Sequence, residues 1–286
     1  MDIQRIIEEL NSKSIVPSSA VKFEPLKGGT VSQLYLLKNS YGEKYVVKCN
    51  APQILQAEAN FLDFYKDKKL LPNLLYVEDS YQYIVYEFIS GSTNYNRVCN
   101  KRKLLITLVN GLLNHYKQVP EPIGWGWVDE PTESWQTFLL QRVTEATKIV
   151  DSYLEKTDID LVVALVNSLN RKSTSSTPFL LHGDFGVHNF VWSEGQLTGV
   201  IDPAPVYGEP LYDLIYAFCS SPEDLTAEVI ESAASHLSNN GKRSTHILYE
   251  EVLIGLYLRI ASCIKHHPQD LDDYLNAWKY WKNLIK

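Results

Sequence analysis

A stretch near the middle of the chain, residues 180–214, constrains the fold and chemistry most strongly. Residues 182–189 have the sequence HGDFGVHN, and Asp202 follows at the end of an apolar run. The glycines permit a tight loop that brings Asn189 back towards Asp184 between two short strands. Two carboxylates and a carboxamide placed in this way can bind a divalent cation and orient a hydroxyl nucleophile. The pattern therefore predicts phosphoryl transfer, which needs few other protein groups.

Each residue of this motif has its own expected role. Asp184 is the candidate catalytic base, which accepts the proton of the attacking hydroxyl. Asn189 and Asp202 are the candidate metal ligands, because magnesium prefers hard oxygen donors. His182 is expected to support the loop by hydrogen bonding rather than to bind metal. The alternative is that Asp184 and Asn189 merely cap a turn.

A lysine and a glutamate upstream extend the prediction. Lys48 ends an alternating strand over 44–48, from which its ammonium can reach the α- and β-phosphates of a nucleotide. Glu58 lies on a helix predicted over 53–66, where it can pair with Lys48 and hold it in place. The alternative is a solvated lysine and glutamate on separate surfaces.

A glycine turn precedes this pair. Gly28, Gly29 and Ser32 lie between two strand-like stretches, and the glycines let the backbone approach a phosphate closely. A Gly-Gly pair is also an ordinary hairpin turn, so the phosphate-binding interpretation depends on the downstream motifs.

The order of predicted elements indicates two lobes. Residues 1–89 read as a helix, strands, a helix and further strands, whereas residues 90–286 are mostly helical after a linker-like stretch that begins at Ser90. We therefore expect an α+β chain with a small β-rich N-lobe that binds the nucleotide. The larger C-lobe would carry the catalytic loop, the metal site and the helices that bind the acceptor.

The charge balance excludes some partners. A net charge of -7 and the lack of a long basic stretch argue against nucleic-acid binding, and no protein partner is evident. The short triplet Lys101, Arg102 and Lys103 is expected to be a solvated helix start.

The chain shows no targeting or membrane segment. The longest apolar run, near 252–264, is interrupted by Arg259 and is too short to span a bilayer. Residues 1–10 read as an amphipathic helix rather than a signal peptide. The four cysteines are far apart in sequence, as is typical of buried thiols in a reducing compartment. We therefore expect a cytoplasmic protein.

The motifs over about residues 20–220 resemble those of the aminoglycoside phosphotransferase and choline kinase-like family, which has a protein-kinase-like bilobal fold. The resemblance implies ATP as phosphoryl donor and Mg²⁺ as cofactor. It implies that residues 28–32 form the nucleotide loop and that the backbone at Glu87, Phe88 and Ile89 hydrogen-bonds the base. Asp213 matches an aspartate that is usually structural.

The resemblance also leaves choices open. Tyr86 stands at the bulky gatekeeper position, so GTP remains an alternative to ATP. The family often has HGDLHPGN in the catalytic loop, and here His188 replaces the usual glycine. Features typical of different subfamilies occur together, so the acceptor stays open among aminoglycosides, amino alcohols such as choline or ethanolamine, homoserine- or sugar-like metabolites, and fructosamine-type glycated amines.

An aromatic and acidic segment over 124–135 is the candidate acceptor wall. Such a lining suits a polar, cationic or sugar-like small molecule. The alternative is that the tryptophans are core and the acids cap a helix. The candidate substrate residues are Trp127, Asp129, Glu130 and Glu133.

These observations predict a small-molecule kinase that phosphorylates a hydroxyl, similar to an aminoglycoside phosphotransferase. A metabolite kinase and a nucleotide-binding pseudokinase without transfer are the alternatives. A protein kinase is disfavoured, because the chain lacks G-x-G-x-x-G, D-F-G and A-P-E motifs.

Overall fold

The computed structural model describes residues 2–16, 21–26, 32–95, 100–121, 123–168, 177–238 and 244–285. Its internal contacts divide the chain into two compact units. The first unit comprises Met1–Thr93 and Phe190–Ala204, and the second comprises Asn94–Asn189 and Pro205–Lys286. The sequence predicts a single boundary between residues 89 and 90, whereas residues 190–204 also belong to the first unit.

The first unit is built on an antiparallel sheet and a separate hairpin. The elements are α1 (Ile3–Ser12), β1 (Lys22–Pro25), β2 (Gln33–Lys38), β3 (Lys44–Cys49), α2 (Pro52–Phe64), β4 (Leu74–Val77), β5 (Tyr83–Glu87), β8 (Phe190–Ser193) and β9 (Gln196–Val200). Among the described residues, the sheet has the strand order β1-β2-β3-β5-β4, and the hairpin pairs β8 with β9.

The alternation of β3 explains how this sheet places a charged residue. Tyr45, Val47 and Cys49 belong to the hydrophobic core that includes the apolar side of α1. Successive strand residues point to opposite faces, so Lys48 lies on the other face. Its neighbours across the sheet are Leu34 on β2 and Ile84 on β5.

The Phe190–Ser193 and Gln196–Val200 hairpin is tied to the first unit by backbone hydrogen bonds. The N–H of Ser92 donates to the carbonyl of Trp192 at 2.9 Å, and the N–H of Trp192 donates back at 2.8 Å. The N–H of Val200 donates to the carbonyl of Leu70 at 2.7 Å. These bonds account for the assignment of residues 190–204 to the first unit.

The second unit is mainly helical. Its elements are α3 (Lys101–Gly111), β6 (Gly126–Trp127), α4 (Trp135–Val150), α5 (Lys156–Asn167), β7 (Phe179–Leu181), β10 (Val206–Gly208), α6 (Pro210–Cys219), α7 (Ala227–Ala234), α8 (Thr245–His266) and α9 (Leu271–Leu284). The long helix α8 packs against α4, α5, α6 and α9. A small sheet has the order β6-β10-β7 among the described residues.

The expectation that Lys101 is solvated is wrong. Its side chain is buried, and its ammonium donates hydrogen bonds to the carbonyls of Phe218 at 3.0 Å and Ser221 at 2.8 Å. These carbonyls lie at the C-terminal end of α6, where the last turn lacks intrahelical donors and attracts a cation. Arg102 lies nearer the surface and pairs with the exposed Glu228.

No helix in the described part of the chain is long and apolar enough to cross a membrane.

Candidate active site

Lys48, Glu58 and Asp202 form a charged cluster in the first unit, which we call the lysine site. The ammonium of Lys48 lies 2.5 Å from Oε2 of Glu58, and both side chains are buried. The same ammonium contacts a carboxylate oxygen of Asp202, whose side chain is 43% exposed. The predicted pairing of Lys48 with Glu58 is present, and the alternative of two residues on separate surfaces is wrong.

The lysine site holds two carboxylates against one ammonium. Burial disfavours the charged form of Lys48, but Glu58 and Asp202 outweigh burial and raise the pKa of Lys48. Burial raises the pKa of Glu58 to about 7, although the charge of Lys48 acts in the opposite direction. Lys48 is therefore a fixed positive charge, whereas Glu58 can exchange a proton near neutral pH.

Asp202 has an unusual backbone conformation. Its φ of 61° lies in the left-handed region, which costs a residue other than glycine on the order of 1–3 kcal/mol. The strained turn follows directly after β9 and directs the carboxylate towards Lys48 while keeping it partly exposed. Such outliers concentrate at functional sites.

Two backbone N–H groups of the predicted base-binding segment, residues 87–89, already donate hydrogen bonds within the protein. The N–H of Glu87 donates to the carbonyl of Asn73 at 3.0 Å, and that of Phe88 donates to the carbonyl of Lys44 at 3.1 Å. Within the described residues, the N–H of Ile89 has no acceptor. Of these three amides, Ile89 is therefore the candidate donor to a nucleotide base.

The predicted glycine turn is described only in part. Gly28 and Gly29 lie outside the described residues. Ser32 is partly buried just before β2, and its hydroxyl accepts a hydrogen bond of 2.8 Å from the side-chain amide of Asn50. This bond ties the start of β2 to the residue that follows β3.

Asp184 is the centre of a second cluster, which we call the loop site and which comprises Asp184, His188, Asn189 and Tyr216 of the second unit. The side-chain nitrogen of Asn189 donates to Oδ2 and to the backbone carbonyl of Asp184, both at 2.9 Å. Nε2 of His188 lies 3.1 Å from Oδ2, and the hydroxyl of Tyr216 donates to Oδ1 at 2.5 Å. The predicted return of Asn189 to Asp184 is present.

Glycines at 183 and 186 let the loop adopt this shape. Gly183 has a φ of 81°, which other residues rarely adopt. A Cβ on Gly186 would lie 2.6 Å from Cε1 of His188 and 3.2 Å from the ring of Tyr216. Glycine at 186 therefore leaves room for both side chains that contact Asp184.

Asp213 supports the loop from the first turn of α6. Its carboxylate accepts hydrogen bonds from the N–H of His182 at 2.9 Å, the N–H of Gly183 at 3.1 Å and the hydroxyl of Tyr116 at 2.7 Å. Burial raises the pKa of Asp213 to about 7, although these donors favour the charged form. The ring of His182 packs edge-on against Phe185.

The donors around Asp184 determine its charge. Burial acts to raise the pKa of Asp184. The hydrogen bond and charge of His188, together with the hydrogen bond of Tyr216, outweigh burial and hold this pKa well below its usual range. The carboxylate therefore stays ionised at neutral pH. An ionised carboxylate fixed on both oxygens is a preorganised hydrogen-bond acceptor.

The family assignment follows from comparison of the sequence with known proteins. The model of the phosphotransferase enzyme family, APH, matches residues 22–247. The chain belongs to this family. The matched residues include the lysine site and the loop site. Comparison with curated proteins gives no significant match.

Solved structures similar to this phosphotransferase share its fold over nearly their whole length. A candidate fructosamine-3-kinase from Haemophilus somnus 129PT has 18% identity and a TM-score of 0.64, with 98% of this chain and 96% of that chain covered. The GDP and kanamycin complex of an APH(2") enzyme has 17% identity and a TM-score of 0.61, with 100% of both chains covered.

A third similar structure is a thermostable mutant of aminoglycoside phosphotransferase APH(4)-Ia in ternary complex with AMP-PNP and hygromycin B. It has 15% identity and a TM-score of 0.60, with 97% of this chain and 98% of that chain covered. These likenesses confirm the predicted protein-kinase-like α+β fold of the phosphotransferase.

The candidate metal ligands of the phosphotransferase have suitable donor atoms. Both side-chain hydrogen bonds of Asn189 use its nitrogen, which leaves the amide oxygen as a ligand atom. The half-exposed carboxylate of Asp202 offers hard oxygens. Within the described residues, no group of three or more His, Cys, Asp or Glu could by itself hold a metal. This chemistry fits magnesium, which takes few protein ligands and keeps water and phosphate oxygens.

The predicted acceptor wall has two different parts. The side chains of Asp129, Glu130 and Glu133 are exposed, whereas Trp127 is partly buried against Phe138 with their ring centroids 5.7 Å apart. The helix that follows is capped by the hydroxyl of Ser134 rather than by one of these acids. Trp135 is a buried residue of the hydrophobic core, in agreement with the alternative interpretation of the tryptophans.

Tyr216 and Arg142 were not recognised from the sequence. Tyr216 lies three residues after Asp213 on α6, so both side chains lie on the same face of that helix. That spacing is a usable signal once Asp213 is known to support the loop. Arg142 gives no such signal, because its position beside Trp127 depends on how α4 packs.

Proposed function

We propose that this phosphotransferase transfers the γ-phosphoryl group of ATP to a hydroxyl group of a small molecule, with magnesium as cofactor. The supporting observation is the loop site, in which Asp184 is held ionised and oriented through both carboxylate oxygens. In the reaction, the acceptor oxygen forms a bond to the γ-phosphorus and the bond to the β–γ bridging oxygen breaks. ADP leaves, and the acceptor proton passes to Asp184.

The other residues of the two clusters have roles in positioning. Lys48 binds the α- and β-phosphates, and Glu58 keeps its ammonium in place. Ile89 donates its N–H to the base, next to the carbonyls of Glu87 and Phe88. The glycine turn predicted from the sequence, with Gly28, Gly29 and Ser32, would bind the phosphates.

Asn189 and Asp202 would hold magnesium through side-chain oxygens. When bound, the ion neutralises charge on the β- and γ-phosphate oxygens. Asp202 also forms an ion pair with Lys48, the residue proposed to bind the phosphates.

ATP is the proposed donor, and GTP is the alternative. One similar structure contains AMP-PNP and another contains GDP, so related proteins bind either base. Tyr86, at the gatekeeper position, is buried in β5, and its bulk is proposed to narrow the space for a base. Turnover measured with each nucleotide at equal concentration separates the two.

The proposed acceptor is a small molecule rather than a nucleic acid, in keeping with the net charge of -7. Trp127 is proposed as part of the acceptor wall, with Asp129, Glu130 and Glu133 near its edge. The proposed compartment is the cytoplasm, which is supported by the buried free thiols of Cys49, Cys219 and Cys263.

A pseudokinase is the second candidate function. Both oxygens of Asp184 already accept hydrogen bonds within the protein, and the carboxylate of Asp202 is paired with Lys48. A protein fixed in this arrangement would bind a nucleotide without transferring its phosphoryl group. Magnesium-dependent nucleotide binding with no transfer to any compound of a broad hydroxyl panel would favour this function.

Asp184→Asn tests the proposed catalytic role. We expect turnover to fall on the order of 10²- to 10⁴-fold while magnesium-dependent nucleotide binding, measured by calorimetry, stays within about twofold. Asp160→Asn, which changes an exposed aspartate on α5, is the matched control and should leave turnover unchanged. Wild-type turnover in Asp184→Asn would remove Asp184 from the reaction.

A further inference from the structure

A cavity lies next to the loop site within the second unit. Tyr216, which donates to Asp184, is one of its lining residues, so the cavity lies beside the candidate base. Its volume of about 50 Å³ is enough for a small polar group or a few water molecules. The lining residues that carry polar or charged side chains come from α4, α6 and α8 and are Arg142, Tyr212, Tyr216, Glu251, Arg259 and Ser262.

Arg142 is the unusual member of this lining. Its guanidinium lies over the ring of Trp127, 5.0 Å from the centroid, and 6.0 Å from the centroid of Phe138. Within the described part of the chain, no carboxylate forms an ion pair with Arg142 and no hydrogen bond engages its side chain. The aromatic rings therefore hold a planar set of five donors that matches a carboxylate or phosphate.

Tyr212 is a second lining residue of the cavity whose hydrogen-bond donor is unused. Its hydroxyl oxygen is buried and has no hydrogen-bond partner in the described structure. A buried hydroxyl without a partner costs free energy, and a bound group can remove that cost. Burial raises the pKa of Tyr212, so the hydroxyl keeps its proton and remains able to donate.

The linings of the cavity and of a neighbouring groove carry more basic than acidic side chains. A groove of about 410 Å³ shares Arg142, Leu258 and Ser262 with the cavity, so the two are adjacent. Together their linings contain four arginine or lysine residues and two glutamates, although the whole chain has a net charge of -7. The basic residues are Arg142, Lys148, Arg259 and Lys265, and the acidic residues are Glu145 and Glu251.

We propose that Arg142 and Tyr212 bind an anionic group, a carboxylate or a phosphate, of the acceptor molecule. The acceptor is then a hydroxy acid or a phosphorylated alcohol rather than a polycationic aminoglycoside. The hydroxyl to be phosphorylated lies at Asp184, one tyrosine side chain away from the anionic group. This inference rests on the proposed function and narrows its substrate class.

The test compares acceptors that share a hydroxyl and differ in charge. The probes are glycerate, glycerol phosphate and glycerol in one series and serine with serinamide in another. Phosphorylation is measured with ATP and magnesium, and binding of each probe without nucleotide is measured separately by calorimetry. We expect at least one probe that bears a carboxylate or phosphate to exceed the matched probe without that group about tenfold or more in both measurements. Comparison of glycerate with glycerol phosphate identifies the preferred anion.

Three variants, two at Arg142 and one at Tyr212, assign the effect to the cavity. Arg142→Gln should remove the preference for the anionic probe, and Arg142→Lys should restore part of it. Tyr212→Phe should weaken binding of the same probe. Arg102→Gln, which changes a surface arginine paired with Glu228, is the control and should retain the full preference.

The outcomes separate this inference from the proposed function. Phosphorylation that favours neutral or cationic probes would overturn the anion site and leave the kinase function intact. Selective anion binding that depends on Arg142, without phosphorylation of any probe or of any compound of the broad hydroxyl panel, would support the site and contradict the kinase function. Absence of both would overturn both proposals.

Discussion

The hydroxyl of Tyr216 lies 2.5 Å from Oδ1 of Asp184 and donates a hydrogen bond to it. The same helix carries Asp213, which binds the backbone of His182 and Gly183. α6 therefore supports the loop backbone through Asp213 and orients the carboxylate of Asp184 through Tyr216. The orientation of Asp184 thus depends on a helix as well as on its own loop.

Tyr216→Phe should lower kcat on the order of 10- to 100-fold, because Asp184 loses one of the bonds that orient it. The KM for nucleotide should not change, because the substitution keeps the aromatic ring and removes only the hydroxyl that donates to Asp184. Steady-state kinetics with both substrates varied provide the measurement. Tyr153→Phe, at an exposed position, should behave as the wild type, and an unchanged kcat in Tyr216→Phe would show that the bond is dispensable.

His188→Gln should move the acid limb of the rate profile to higher pH. The hydrogen bond and charge of His188 lower the pKa of Asp184, so their removal raises that pKa. Activity that needs the ionised carboxylate persists above its pKa and is lost as pH falls through it. The loss therefore begins at higher pH in the variant, as kcat/KM measured across pH will show.

The matched control for this prediction is His236→Gln, which alters an exposed imidazole in the same unit. Its profile should coincide with that of the wild type. An acid limb in His188→Gln at the wild-type position would mean that His188 does not stabilise the charge of Asp184.

Glu58→Gln should flatten the dependence of stability on pH. The pKa of Glu58 is raised to about 7, so the folded protein holds a proton there that the unfolded chain has already lost. The free energy of unfolding therefore falls as pH rises from about 4.5 to about 7, and it levels off above. The variant lacks this contribution, which amounts to at most about 3 kcal/mol.

Urea unfolding of both proteins between about pH 5 and about pH 8 gives the difference as a function of pH. Glu8→Gln, at an exposed position on α1, should keep the wild-type dependence. A difference between wild type and Glu58→Gln that stays constant across this range would contradict a raised pKa at Glu58.

Lys101→Met should destabilise the second unit by about 1–3 kcal/mol, because the buried carbonyls of Phe218 and Ser221 lose their donor. Trp281 packs edge-on against Phe218 and reports on this region through its fluorescence. Lys103→Met, an exposed change in the same turn of α3, should cost less than about 0.5 kcal/mol. Equal stability of the two variants would mean that the carbonyls find other partners.

Local patterns were sufficient to predict much of the fold and part of the site. The alternation around Lys48 and the helical spacing around Glu58 indicated a strand and a helix, and their side chains meet at 2.5 Å. The close glycines and the short spacing from Asp184 to Asn189 indicated a loop that returns on itself, as the structure shows. In each case, residues near in sequence determine the geometry.

The burial of Lys101 and the position of Arg142 are not indicated by local sequence patterns, because both depend on packing between distant segments. The burial of Lys101 depends on the end of α6, more than a hundred residues away, and a lysine triplet is more often exposed. Arg142 lies over Trp127 only because α4 packs beside β6. Contacts between distant segments would recognise the acceptor. The loop motif therefore predicts transfer of a phosphoryl group better than it predicts the molecule that receives it.

The return of residues 190–204 to the first unit affects how the chain can be divided. A fragment that ends at Thr93 lacks the hairpin that pairs with Ser92 and the carboxylate that contacts Lys48. Such a fragment would expose the edges that the hairpin covers and leave Lys48 with one counterion. A separately expressed first unit would therefore need residues 190–204 fused behind residue 93 or supplied as a peptide.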